Sequence, residues 1–195
     1  MKKLFILFVL SIVEISCIAQ TRKWEHSLVA GIGVAFDKET AKSSVNDTRS
    51  ALAIKAGYGL SYYLNQHVAM HTRLTYRHVG TYGLMVGYLD VPVGLRYYLD
   101  ADSSPWSFGI GPVLSYCIRN DKYDLDNTSY DALVGKDIFK TFGLGLQPSI
   151  TYRGGRHLEL SLEGYIGLNN VKKDYEQTTR REYFHSFMAT IGYVF

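Results

Sequence analysis

Glu159 and Glu163 stand four residues apart in LELSLEGYIGL, a spacing that invites an acid–base reading. On an extended strand at about 3.3 Å per residue they lie roughly 13 Å apart. Paired carboxylates at a glycosidic bond work at about 5–9.5 Å. His185 and Ser186 are adjacent, so a strand sends them to opposite faces, and a hydrolytic serine–histidine pair does not form. The 6 histidines have no metal-ligand spacing, and His26, His78 and His185 read as interfacial residues. Cys117 falls on the inward side of a strand and reads as filler. These patterns argue against an enzyme, and no cofactor is expected.

The charged residues do share a parity. Lys55, His71, Arg73, Arg77, Asp90, Arg96, Glu159 and Glu163 each occupy the face of their stretch opposite its apolar residues. Glycines crowd the same face, among them Gly57, Gly59, Gly94, Gly109, Gly111, Gly145 and Gly167. If these faces line a narrow interior, unpaired charges there would cost several kcal/mol each, so pairing is expected, with Gln147 nearby. Such a network either fixes strand register or lines a gated ion path; both readings stay open at this stage.

The elements that position these residues are strands. The final stretch, YFHSFMATIGYVF, carries Phe187, Ala189, Ile191, Tyr193 and Phe195 on one parity and Ser186, Met188, Thr190, Gly192 and Val194 on the other. One face is greasy and the other small or mildly polar, which is the period of a β-strand against an apolar medium. Seven earlier stretches alternate likewise: 24–36, 51–64, 67–79, 88–99, 106–118, 138–152 and 158–168. Pro112 lacks an N–H for the ladder, so a bulge is expected there. Polar segments 37–50, 119–136 and 169–182, with a shorter one at 80–87, alternate with tight turns at Asn65-Gln66, 100–105 and Arg153-Gly154-Gly155-Arg156. An even strand count with long loops at one end and tight turns at the other predicts an all-β, eight-stranded antiparallel up-and-down transmembrane β-barrel. A soluble lipocalin-like barrel would carry a polar outer face. Outward Trp24, Tyr62, Tyr97, Trp106, Tyr152 and Tyr193 fall at the tight-turn end, and Phe36, Tyr76, Tyr116 and Tyr183 at the other, as in the aromatic girdles of membrane interfaces.

The address agrees. Lys2 and Lys3 precede an apolar run to Val13 and a small-residue region ending Ala19-Gln20, so residues 1–20 read as a cleaved secretory signal and 21–195 as the barrel domain. Glu14 makes Cys17 a poor lipidation site. Cleavage leaves Cys117 alone, without a disulfide partner. The composition holds 16 Tyr and 18 Gly but 4 Pro, and the net charge of +3 includes two signal-peptide lysines, which gives no basic surface for nucleic acid.

A terminal aromatic strand resembles the closing strand of bacterial outer-membrane barrels, where Phe187, Ile191, Tyr193 and Phe195 would be read by the assembly machinery. With GLSYYL, YLDVPVGLRYYL, FGIGPVLSY and ELSLEGYIGL, the chain resembles the PorT-like outer-membrane β-barrel family, with OmpA and OmpX barrels as looser architectural relatives. The resemblance implies a multi-pass barrel in the bacterial outer membrane, surrounded by lipopolysaccharide and phospholipid. Some members serve a secretion system. The expectation is a monomer with a polar-plugged interior and a structural or surface-binding role; a narrow porin and a secretion component are the alternatives. In the largest loop Tyr123, Asp124, Asp126 and Tyr130 form a tyrosine-and-acid cluster suited to protein, glycan or cation binding, or to solvation alone.

Overall fold

Alternating side chains leave each strand one apolar face, and a ring of such strands turns all of those faces outward. The computed structural model describes residues 24–40, 46–81, 84–99, 105–122, 134–173 and 181–195. The signal-peptide segment and the loop candidates Tyr123, Asp124, Asp126 and Tyr130 lie outside the described residues. The strands are β1 Trp24–Thr40, β2 Asn46–Tyr63, β3 Val68–Thr81, β4 Leu84–Tyr98, β5 Trp106–Arg119, β6 Phe142–Gly154, β7 Leu158–Gly167 and β8 Arg181–Val194. Each pairs antiparallel with its chain neighbour, and β1 pairs with β8 from Ser27↔Val194 to Thr40↔Arg181, which closes the barrel. Closure leaves no open strand edge, the condition for crossing lipid with strands.

The outer wall is apolar. Leu28, Ile32, Leu52, Leu74, Leu95, Ile110, Leu144, Leu162 and Ile191 are all exposed. The aromatic rings flanking this band meet as cross-strand partners, with Trp24 on Tyr62 at 4.6 Å between centroids and Trp106 on Tyr152 at 5.1 Å near the tight turns. Near the long loops Tyr116 meets Phe142 at 5.3 Å. Phe187, Ile191, Tyr193 and Phe195 of the closing stretch all face outward.

Several boundaries differ from the sequence reading, each for a physical reason. Residues 37–40 and 46–50, expected as loop, extend β1 and β2 to 17 and 18 residues in unbroken register as far as Thr40↔Asn46. About 9–11 residues suffice to cross the apolar core, so this hairpin rises beyond it. The 80–87 connection is shorter than expected, because β3 and β4 stay paired up to Thr81↔Leu84. No bulge forms at Pro112: the β4–β5 register runs from Pro92↔Val113 to Leu95↔Ile110 without change, and the shift falls between Gly87 and Tyr88.

The start expected for the sixth strand, Ile138, is not in it. Residues 137–140 instead form a short inward cap. Lys122 bridges Asp137 and Phe139 bridges Lys172, while Asn120 holds the Phe139 backbone through both halves of its amide, at 3.0 Å from N–H and 2.6 Å to C=O. Lys173 donates to Asp137 at 2.8 Å, and this hydrogen bond holds the Asp137 carboxyl below its ordinary range.

Candidate functional site

Everything chemically distinctive in the described residues lies inside the barrel, in layers. The lowest layer, beside the tight turns, joins strands β1, β2, β4, β6 and β7. Arg153 donates to Glu25 at 2.9 and 2.7 Å and to Glu159 at 2.7 Å, while Tyr63 donates to Glu25 at 2.6 Å and its hydroxyl stands 3.0 Å from that of Tyr98. Arg96 donates to the same Glu159 at 3.0 Å. Glu25 and Arg153 escaped the sequence reading because one opens its strand and the other looked like part of the R-G-G-R turn. Their parity was the available signal: Glu25 shares a face with Ser27 and Val29, and Arg153 with Thr151.

Glu163 is the hub of the middle layer. Lys55 from β2 and Arg73 from β3 both bond its carboxylate, Gln147 donates to it at 2.7 Å, and the Thr190 hydroxyl donates at 3.0 Å. Gly31 and Gly59 leave room for three of them: a Cβ at Gly31 would stand 2.6 Å from Thr190 Cγ2 and 3.3 Å from Lys55 Cγ, and one at Gly59 would stand 3.0 Å from Arg73 Cγ. His71 was expected among these charges, yet it bonds no carboxylate among the described residues; its Nδ1 meets the Ser61 hydroxyl at 2.8 Å.

Above the hub, Arg77 is clamped on Asp90 at 2.6 and 3.3 Å, and its guanidinium lies over the rings of Tyr165 at 4.3 Å and Tyr88 at 5.0 Å. Such stacking suits a desolvated guanidinium.

The top layer differs from the sequence expectation. In place of more polar plug it is an apolar core of Val79, Val86, Tyr88, Phe184 and Met188, roofed by Ile138, Phe139 and Val171. The Phe139 and Phe184 rings are 5.3 Å apart. The inward parity of Val79 and Phe184 was visible in the sequence, whereas Val86 fell in the segment read as a connection, and their meeting with the cap depends on a turn inward at Ile138 that no local pattern announces.

The ring has eight strands, so strands four apart face each other across its diameter. Contacts span that diameter at successive heights: Tyr63 of β2 with Arg153 of β6 at 3.4 Å, Arg73 of β3 with Glu163 of β7, Arg77 of β3 with Tyr165 of β7, and Tyr88 of β4 with Phe184 of β8 at 6.1 Å between ring centroids. Eight strands enclose a space that side chains can fill. Two voids among these side chains measure about 20 and about 10 Å³, the scale of one water molecule. Among the described residues no group of three histidine, cysteine or carboxylate side chains is placed to hold a metal ion.

Known proteins resemble this chain in fold. Neisserial surface protein A, NspA, is 16% identical with a TM-score of 0.51, the match covering 85% of this chain and 96% of NspA. Ail, the attachment invasion locus protein of Yersinia pestis, is 13% identical with a TM-score of 0.48 over 89% of this chain and 99% of Ail. OprG from Pseudomonas aeruginosa is 12% identical with a TM-score of 0.45 over 89% of this chain and 97% of OprG. At such identity the likeness to NspA is one of fold. No curated protein sequence matches the chain. Residues 18–173 match the outer membrane protein beta-barrel domain family. With its closed eight-stranded ring and apolar girdled wall, the chain belongs to that family and is a barrel of the bacterial outer membrane.

Proposed function

We propose that this protein is a sealed barrel, without enzymatic activity, whose role is structural or surface-binding and is carried out at its wall and outer rim. The diametric contacts carry this reading. Four successive heights are crossed by side chains from opposed strands, three of them held by ion pairing, cation–π stacking or a hydrogen bond, and the fourth by ring packing below the cap. A hydrated ion would have to displace buried ion pairs, which are costly to break. The barrel stands as a monomer among lipopolysaccharide and phospholipid, and Phe187, Ile191, Tyr193 and Phe195 form the stretch that the assembly machinery reads.

Uptake of a small sugar tests the reading. Proteoliposomes containing the refolded barrel should swell in arabinose no faster than protein-free liposomes. Swelling at a porin-like rate would contradict it. The secretion role implied by the PorT-like resemblance makes a separate demand: a strain lacking the protein would retain exported cargo, whereas a structural or surface-binding barrel leaves export intact.

A further inference from the structure

The void of about 20 Å³ lies between β3, β4, β5 and β6, and room for it comes from Gly94, Gly109 and Gly111. Two residues of its wall each carry a buried polar atom with no protein partner among the described residues: Nε2 of His71 and Nε of Arg96, a residue 2% exposed. Arg96 Nε is a donor in every state. His71 Nδ1 sits on the Ser61 hydroxyl at 2.8 Å, and when it accepts that hydrogen, Nε2 carries the ring proton. The residues lining the void then carry two unmatched N–H donors.

Charge decides what fits there. In the ion-pair layers, among the described residues, the cations are Lys55, Arg73, Arg77, Arg96 and Arg153, and the carboxylates are Glu25, Asp90, Glu159 and Glu163. One positive charge is left over. A water molecule could accept both hydrogen bonds, but it would leave that charge uncompensated and bring two protons of its own. A monovalent anion matches the donors and the charge together. We propose that this void holds a single halide ion, bound between His71 and Arg96.

The test is to refold the protein in bromide, crystallise it, and collect anomalous diffraction at the bromine edge. The result expected is one strong anomalous peak within hydrogen-bonding reach of His71 Nε2 and Arg96 Nε. Gly109→Ala, whose new methyl group meets the Ser149 hydroxyl at 2.5 Å, narrows the void without removing a charge and should lose the peak. In solution the unfolding transition of the wild type should rise with chloride relative to gluconate at equal ionic strength, as linkage requires of a ligand bound to the folded state. That rise should vanish in Gly109→Ala. Density without anomalous signal in the wild type means a water molecule and overturns the proposal. So does a wild-type transition indifferent to halide, whatever the crystal shows.

Discussion

Glu163→Gln is expected to lower the stability of the folded barrel by about 3–5 kcal/mol, the cost of removing one partner from a buried ion pair. The substitution keeps the shape and changes only charge and donor pattern, so the loss is electrostatic. Lys55, Arg73, Gln147 and Thr190 all donate to the Glu163 carboxylate, and an amide would turn one acceptor into a fifth donor among them. Against a total of about 5–15 kcal/mol for a folded domain, that is a large fraction. Urea titration in micelles, followed by tryptophan fluorescence, measures it. Glu25→Gln is the comparison: its side chain is 26% exposed and Arg153 keeps Glu159 as a partner, so the loss should stay below about 1 kcal/mol. Equal effects at both sites would show that the Glu163 cluster is no hub.

Gly33→Val is expected to keep the barrel from closing. Gly33 lies opposite Met188 on the seam where β1 meets β8, and a Cβ there would stand 2.1 Å from the Phe187 carbonyl oxygen and 2.6 Å from the Met188 Cα. Both obstacles are backbone, so relief requires the two strands to part. Overpacking of side chains alone costs about 1–3 kcal/mol, and a breach in the seam adds backbone groups unpaired in lipid. The folded band that migrates differently before and after heating on a denaturing gel should fall about tenfold or more. Gly192→Ala on the same seam has its nearest contact at 3.4 Å and should fold as the wild type does. If the two variants fold equally well, close strand approach at Gly33 is not what sets the seam.

What could be read from the sequence follows from where the chain meets lipid. Within the apolar band each strand has one face in lipid and one inside, so Leu28, Ile32 and Val34 alternate with Val29, Gly31 and Gly33 and the parity is plain. Beyond the band the alternation disappears from the β1–β2 sequence, and residues 37–40 and 46–50 read as loop although they pair as strand. Parity likewise placed Lys55, Arg73, Arg77, Arg96, Asp90, Glu159 and Glu163 on inward faces, but it says nothing about which strand lies across the lumen. The choice of Glu163 over Glu159 as partner of Arg73 depends on register between strands far apart in sequence. Ile138 continues the apolar parity of Phe142 and Leu144, and what turns it and Phe139 inward is the grip of Asn120 on the Phe139 backbone, a contact 19 residues away.

Single-channel recording of the refolded barrel in a planar bilayer tests the sealed lumen most directly, once heat-dependent gel mobility has shown that the protein is folded. The account predicts a current indistinguishable from that of the bare bilayer across the voltage range. Discrete conductance steps that change size in Glu159→Gln or Arg96→Ala would contradict it, and would make the ion-pair network the lining of a narrow channel.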